Sequence, residues 1–179
     1  MRVQTQFLMI NIIGGIAVLG GYVIALINNP ETRNELWGGV PENLRLWITA
    51  FMFISALGYC FAMYYLIFDE GLSLGFFWGK FDYKLIKALL IIFLTTAALW
   101  IHTTFLYMES GSKFHWSLVQ IELWLTGASV FLIMIGLASA TEVKNSNLHF
   151  YSILGLCAIS SHCLILDAFL WLNKFPLKH

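Results

Sequence analysis

The sequence predicts an all-α integral membrane protein: a five-helix transmembrane bundle with a short amphipathic surface helix in its first loop. Three observations predict this. Five apolar stretches, at 7–27, 44–68, 85–107, 116–140 and 148–172, each reach the roughly 20 residues that a helix needs to cross a bilayer core. No Lys or Arg lies deep inside any of them. Only 11% of the 179 residues are charged and 59% are hydrophobic, whereas a soluble domain carries about 25% charged residues. The mean hydropathy is +0.77. Little chain remains outside the spans, so residues 1–179 read as a single transmembrane domain, with the lipid bilayer as its first partner. Ten basic and ten acidic side chains cancel, which leaves no basic patch for nucleic acid.

The first span follows Arg2. Its run is long for a signal-peptide core and no clean A-x-A site follows, so it reads as a retained helix. Gly14, Ala17, Gly21 and Ala25 fall on one face. Small residues let helix backbones approach closely in lipid. Packing against another span of the same chain is the favoured use of this face; the sharper one is a homodimer face, or contact with another membrane protein partner. In the first loop, Asn29-Pro30-Glu31 resembles a helix start and Gly38-Gly39 a stop. A surface helix over 30–37 is expected, with Leu36 and Trp37 toward the headgroups. Pro41-Glu42 opens the second span.

Tyr64 and Tyr65 sit near the end of the second span, where aromatic belts form. Tyr59 lies deeper, so its hydroxyl needs a partner. Asp69-Glu70-Gly71 ends the helix. The second loop carries Phe76, Phe77, Trp78 and Phe81 with Lys80 and Lys84. It reads as a membrane-surface segment, or as a loop tucked over the helix ends. Basic residues split five against five between the two sides, and only the Lys80, Lys84, Lys87 cluster tilts the N-terminus toward the cytoplasm. Cys60, Cys157 and Cys163 read as small buried hydrophobes, with no C-x-x-C among them.

Ionisable side chains inside a span are costly and usually functional. Four occur: His102 in the third span, Glu122 in the fourth, and His162 and Asp167 in the fifth. At about 1.5 Å per residue, His102 and Asp167 lie about 7–8 Å from the C-terminal side and Glu122 about 9 Å, with His162 deeper. Hydroxyls extend the pattern. Glu122, Thr126 and Ser129 share a face, as do Thr95 with His102, Thr96 with Thr103, and Ser160 with Asp167. These faces predict a partly polar cavity between the third, fourth and fifth spans, walled in part by Trp124 and Trp171.

The leading functional expectation is a lipophilic or small polar ligand in that cavity, held by His102, Glu122, Thr126, His162 and Asp167. An aromatic content of 16% suits a flat or polyene molecule. The alternative is a non-catalytic accessory subunit of a larger membrane complex. Its contact surfaces would be the small-residue face of the first span and the aromatic second loop. A proton- or ion-conducting oligomer ranks behind both. Internal pairing of the same polar groups would make them purely structural. A buried carboxylate beside a His can shuttle protons, but no GxSxG, P-loop or G-x-G-x-x-G is present. No E-x-x-H, H-x-x-x-H or H-E-x-x-H occurs, so no metal or haem is expected. His115, His149 and His179 lie at or beyond helix ends, where capping or solvation is the default.

Overall fold

A computed structural model describes residues 2–69 and 71–175. Glu70, Lys178 and His179 lie outside the described residues. Among the described residues, five helices are long and apolar enough to cross a membrane: α1 (Val3–Asn28), α2 (Glu42–Phe68), α3 (Tyr83–Ser110), α4 (Lys113–Ala138) and α5 (Ser146–Lys174). The protein is therefore a multi-pass integral membrane protein, all-α as the hydropathy pattern implies. We call the face on which α1, α3 and α5 end the C-terminal side.

The helix ends follow from local chemistry. Asp82 accepts the Lys84 amide and opens α3. Gly111 takes a left-handed φ of 63° and returns its N–H to Tyr107 O at 2.8 Å, so α3 turns into α4 with almost no loop. Asn145 accepts the Leu148 amide and opens α5. Asn29 behaves differently from the expectation. Its side-chain amide donates back to Ala25 O at 2.9 Å, so it closes α1 instead of opening a new helix. The surface helix shrinks accordingly to a 3-10 turn at Arg33–Trp37. Leu36 and Trp37 in it are half-buried against the bundle rather than turned to the headgroups.

The helices do not pack in chain order. Neighbours run α1, α3, α4, α5, α2, and α1 and α2 scarcely touch. Their meeting point is a hydrogen bond from the Tyr59 hydroxyl to Asn11 Oδ1, which supplies the partner that Tyr59 needs. Nearby, Lys87 Nζ donates to Gln6 Oε1 at 3.0 Å and ties α3 to α1. Gly14 faces Leu94, and Gly21 faces His102 and the Ala98 carbonyl. The small-residue face of α1 is thus filled by α3, with Gly21 and Ala25 buried. Ala17 is the exception and points outward.

Two apolar cores form, one towards each side of the membrane. Phe7, Tyr65, Leu66, Phe76, Leu90 and Leu156 belong to the N-terminal-side core. Ala25, Ile101, Tyr107, Leu123, Trp171 and Phe175 belong to the other. Tyr65 is fully buried, so of the paired tyrosines only Tyr64 remains for an aromatic belt. Cys163 is buried, but Cys60 and Cys157 face outward, contrary to their reading as buried hydrophobes; all three are free thiols. An exposed thiol fits here because the surroundings of an outward-facing position are lipid.

The second loop is tucked over the helix ends. Phe77 and Trp78 adopt left-handed φ values of 51° and 59°, a conformation costing about 1–2 kcal/mol per residue. The contacts that hold it are specific. Phe76 and Phe81 exchange backbone hydrogen bonds, Trp78 N–H donates to Ser139 O at 2.9 Å, and Thr141 N–H donates to Gly75 O at 2.9 Å. The Phe77 ring lies over Gly136, where a side chain would collide with it. Trp78 and Phe81 stay exposed.

Candidate functional site

Between the two cores lies a layer of buried polar side chains: Thr96 and Thr103 on α3, Glu122, Thr126 and Ser129 on α4, and Ser160 and His162 on α5. These seven of the expected polar residues therefore do occupy the bundle interior. Their contacts are divided among three seams.

The first seam joins α3 to α4. Thr103 Oγ1 donates to Glu122 Oε1 at 3.1 Å. One turn on, the Thr96 and Thr126 hydroxyls meet at 2.7 Å, and Thr126 also donates to Glu122 O at 2.8 Å. Glu122 Oε2 is buried without a partner. These bonds replace the water that lipid cannot supply. Replacing Thr103 by Val is expected to lower thermal stability by about 1–3 kcal/mol, since it strips the acceptor Oε1 of its donor. An unchanged melting temperature in detergent would show that the seam does not depend on this bond.

The second seam joins α1 to α3. His102 packs there, with Nε2 3.1 Å from where a Gly21 Cβ would sit. It is half-buried and belongs to helix packing on the side of α3 that faces α1. Its expected companion Thr95 is exposed.

The third lies on α5, where the helix widens. His162–Trp171 is a ten-residue π-helix. In an α-helix, residues five apart stand about 140° apart around the axis. The wider π turn brings them back to one face, and His162 Nε2 reaches Asp167 Oδ2 at 3.6 Å. His162 is 8% exposed, and its Nδ1 has no hydrogen-bond partner. Ser160 Oγ is likewise buried and unpartnered. No α-helical periodicity could have paired His162 with Asp167. The α pattern aligned Asp167 with Ser160 instead.

An aromatic cap closes this layer toward the C-terminal side. The Trp171 ring lies 4.5 Å from Phe175 and 5.5 Å from Trp100, and Trp116 stacks on Phe175 at 5.5 Å. Trp171 Nε1 donates to Leu36 O at 2.6 Å and so fastens the first loop. Trp124, expected with Trp171 to help wall the cavity, is 49% exposed and turns outward. His149 Nε2 meets Leu137 O at 2.8 Å, which caps the end of α4. His115 Nδ1 meets Ser110 Oγ at 2.9 Å.

Ile101, Leu123, Val130 and Ile133 of α3 and α4 are buried beside these polar groups. The concavity beside the π-helix opens elsewhere, between α2 and α5. It is a groove of about 410 Å³ lined by Leu44, Trp47, Ile48, Phe51, Ser161, Ile165, Leu166 and Leu170. Ser161 is its sole polar side chain. The Phe51 ring stands 5.9 Å from the His162 imidazole, so the histidine lies directly behind the groove wall. A second, polar cleft of about 460 Å³ lies under the second loop and includes Ser73, Lys80, Asp82 and Glu142. Among the described residues, no group of three or more His, Cys, Asp or Glu side chains converges as metal ligands would. No protein-family model, curated protein or solved structure matches this chain.

Proposed function

We propose that this protein draws a lipophilic small molecule from the bilayer into the groove between α2 and α5, with the ligand's polar head against His162. The carrying observation is the π turn, which sets His162 and Asp167 together immediately behind an apolar groove and leaves His162 Nδ1 unpartnered. π segments are rare and concentrate at functional sites. A buried polar atom without a partner costs about 1–3 kcal/mol, a cost that a ligand's hydrogen bond would offset. The groove volume falls within the range of small-molecule sites, which are mostly apolar with few polar groups.

In this reading the five candidate residues divide by role. His162 contacts the ligand and Asp167 orients the imidazole. Glu122 and Thr126 hold α3 to α4, and His102 seats α1 on α3. The N-terminus is read as cytoplasmic, a reading that the Lys80, Lys84, Lys87 cluster supports.

Native mass spectrometry of the gently extracted protein tests the proposal. A stoichiometric small molecule is expected, and it should be lost from His162→Ala while being retained by Thr103→Val. A bare protein, or a ligand indifferent to His162, would overturn the reading. A co-purifying protein in place of a small molecule would favour the accessory-subunit alternative.

A further inference from the structure

We propose that the polar cleft under the second loop holds the head group of a membrane phospholipid, with its phosphate against Lys80 and its primary ammonium against Glu142. The cleft shares no residue with the groove between α2 and α5, so its occupant is independent of the groove's.

The cleft sits at head-group depth. On this side α2 ends at Phe68, α3 starts at Tyr83, α4 ends at Ala138 and α5 starts at Ser146. The lining residues Ser73, Lys80, Asp82 and Glu142 fall in the two loops between these ends. That is the level at which polar head groups flank the hydrocarbon core. Phe81 at the cleft wall and Trp78 in the same hairpin are both exposed, and aromatic side chains of this kind suit the interface. A head held here keeps its acyl chains in the adjoining bilayer.

The charges call for a zwitterion. Asp82 pairs with Lys84 at 3.5 Å. Among the described residues, neither Lys80 nor Glu142 has an ion-pair partner, although both line the same cleft of about 460 Å³. Two opposite charges that do not close on one another leave room for a ligand carrying both signs. A phosphate accepts from the Lys80 ammonium, and a primary ammonium donates to the Glu142 carboxylate. An anionic head without an amine would set its charge beside that of Glu142.

The two charges are also fixed to one frame. Trp78 N–H donates to Ser139 O and Thr141 N–H donates to Gly75 O, so the hairpin bearing Lys80 is tied to the turn bearing Glu142. A Cβ on Gly75 would lie 2.8 Å from Thr141 Oγ1 and 2.9 Å from Gly79 Cα, so the glycines keep this junction tight. Glu142 holds a left-handed φ of 65°, a conformation that glycine adopts without strain. Among the described residues, the other non-glycine positions with positive φ are Phe77 and Trp78, in the facing hairpin. Backbone strain gathers at ligand clamps, and here it retains a carboxylate where glycine would be easier.

The test titrates the full chain in detergent with dioleoyl phosphatidylethanolamine or dioleoyl phosphatidylglycerol and reads the lipid-bound fraction by native mass spectrometry. The ethanolamine lipid should bind about fivefold more tightly, the upper worth of one exposed charge pair. Glu142→Gln should erase this preference, and Lys80→Gln should weaken both lipids. Glu31→Gln, which removes an exposed carboxylate on the opposite side, should change neither. Glycerophosphoethanolamine, the same head without chains, should bind far more weakly, because the micelle no longer concentrates it at the cleft.

Equal or tighter binding of phosphatidylglycerol to the wild type would overturn the proposal. So would a preference that survives Glu142→Gln, or lipid binding indifferent to Lys80→Gln. Glycerophosphoethanolamine binding as tightly as the lipid would overturn the membrane source and give the cleft to a soluble zwitterion.

Discussion

Gly58→Val should leave the protein unable to assemble, because α2 and α5 cross backbone to backbone at this residue. A Cβ placed on Gly58 would lie 2.7 Å from Gly155 Cα and 2.9 Å from Gly155 O. Real Cβ atoms do not approach so closely, and the obstacle is backbone, which cannot rotate away. The crossing is reinforced on either side. Ser55 Oγ donates to Ala158 O at 3.2 Å, and Ser152 and Ala62 are fully buried. Close approach of this kind substitutes for hydrophobic drive when the solvent is lipid. Overpacking costs about 1–3 kcal/mol even when side chains can yield, so Gly58→Ala should already lower the melting temperature in detergent. Val at either Gly58 or Gly155 should abolish the monodisperse peak on size exclusion. The control is Gly15→Ala, where a Cβ would meet nothing within 4 Å; it should be neutral or slightly stabilising. Equal losses at Gly15 and Gly58 would show that glycine content, and not the crossing, sets stability.

The contrast between α1 and α2 shows what the residues disclosed and what they concealed. Hydropathy alone revealed all five spans, because lipid forces every backbone group to be satisfied within a helix. The small-residue face of α1 was visible as Gly14, Gly21 and Ala25 at helical spacing, and α3 fills it. The Ser55, Gly58, Ala62 face carries the same signature at the same spacing, yet bulky neighbours in the sequence masked it. Its partner lies about 100 residues away, and periodicity within one helix carries no information about a partner in another. The polar layer was legible for a related reason. Thr103, Glu122 and His162 are expensive in lipid, so wherever they fall they must point inward.

How that layer is divided was not legible. His102 and Thr103 are adjacent in sequence and face different helices, α1 and α4 respectively. Which faces which depends on the packing order α1, α3, α4, α5, α2, and no local pattern encodes that order. The π-helix is the extreme case. Sequence periodicity assumes 3.6 residues per turn, and His162 and Asp167 come together only where that assumption fails.

Trp171→Ala is expected to cost about 3–5 kcal/mol, the range for truncating a large buried aromatic, and to release the first loop with it. Trp171 joins Trp100, Trp116 and Phe175 into one aromatic cap, and its indole N–H holds Leu36 O. Trp171→Phe separates the two contributions. It keeps a ring against Phe175 but drops the hydrogen bond, so it should cost about 1 kcal/mol while still exposing the bond after Arg33 to limited tryptic cleavage. Trp171 is also the last residue of the π segment, and the Gly58–Gly155 crossing lies two turns before the first. Rewinding this stretch into an α-helix would turn Trp171 and Phe175 relative to Gly155, pulling either the cap or the crossing apart. The wide turn persists because both of its ends are held, and it is this turn that keeps His162 against Asp167. On the proposed groove reading, Trp171→Ala should therefore weaken retention of the proposed ligand as well as stability, although Trp171 does not line the groove. A variant that melts early yet retains ligand as wild type does would separate the cap from the His162–Asp167 pair.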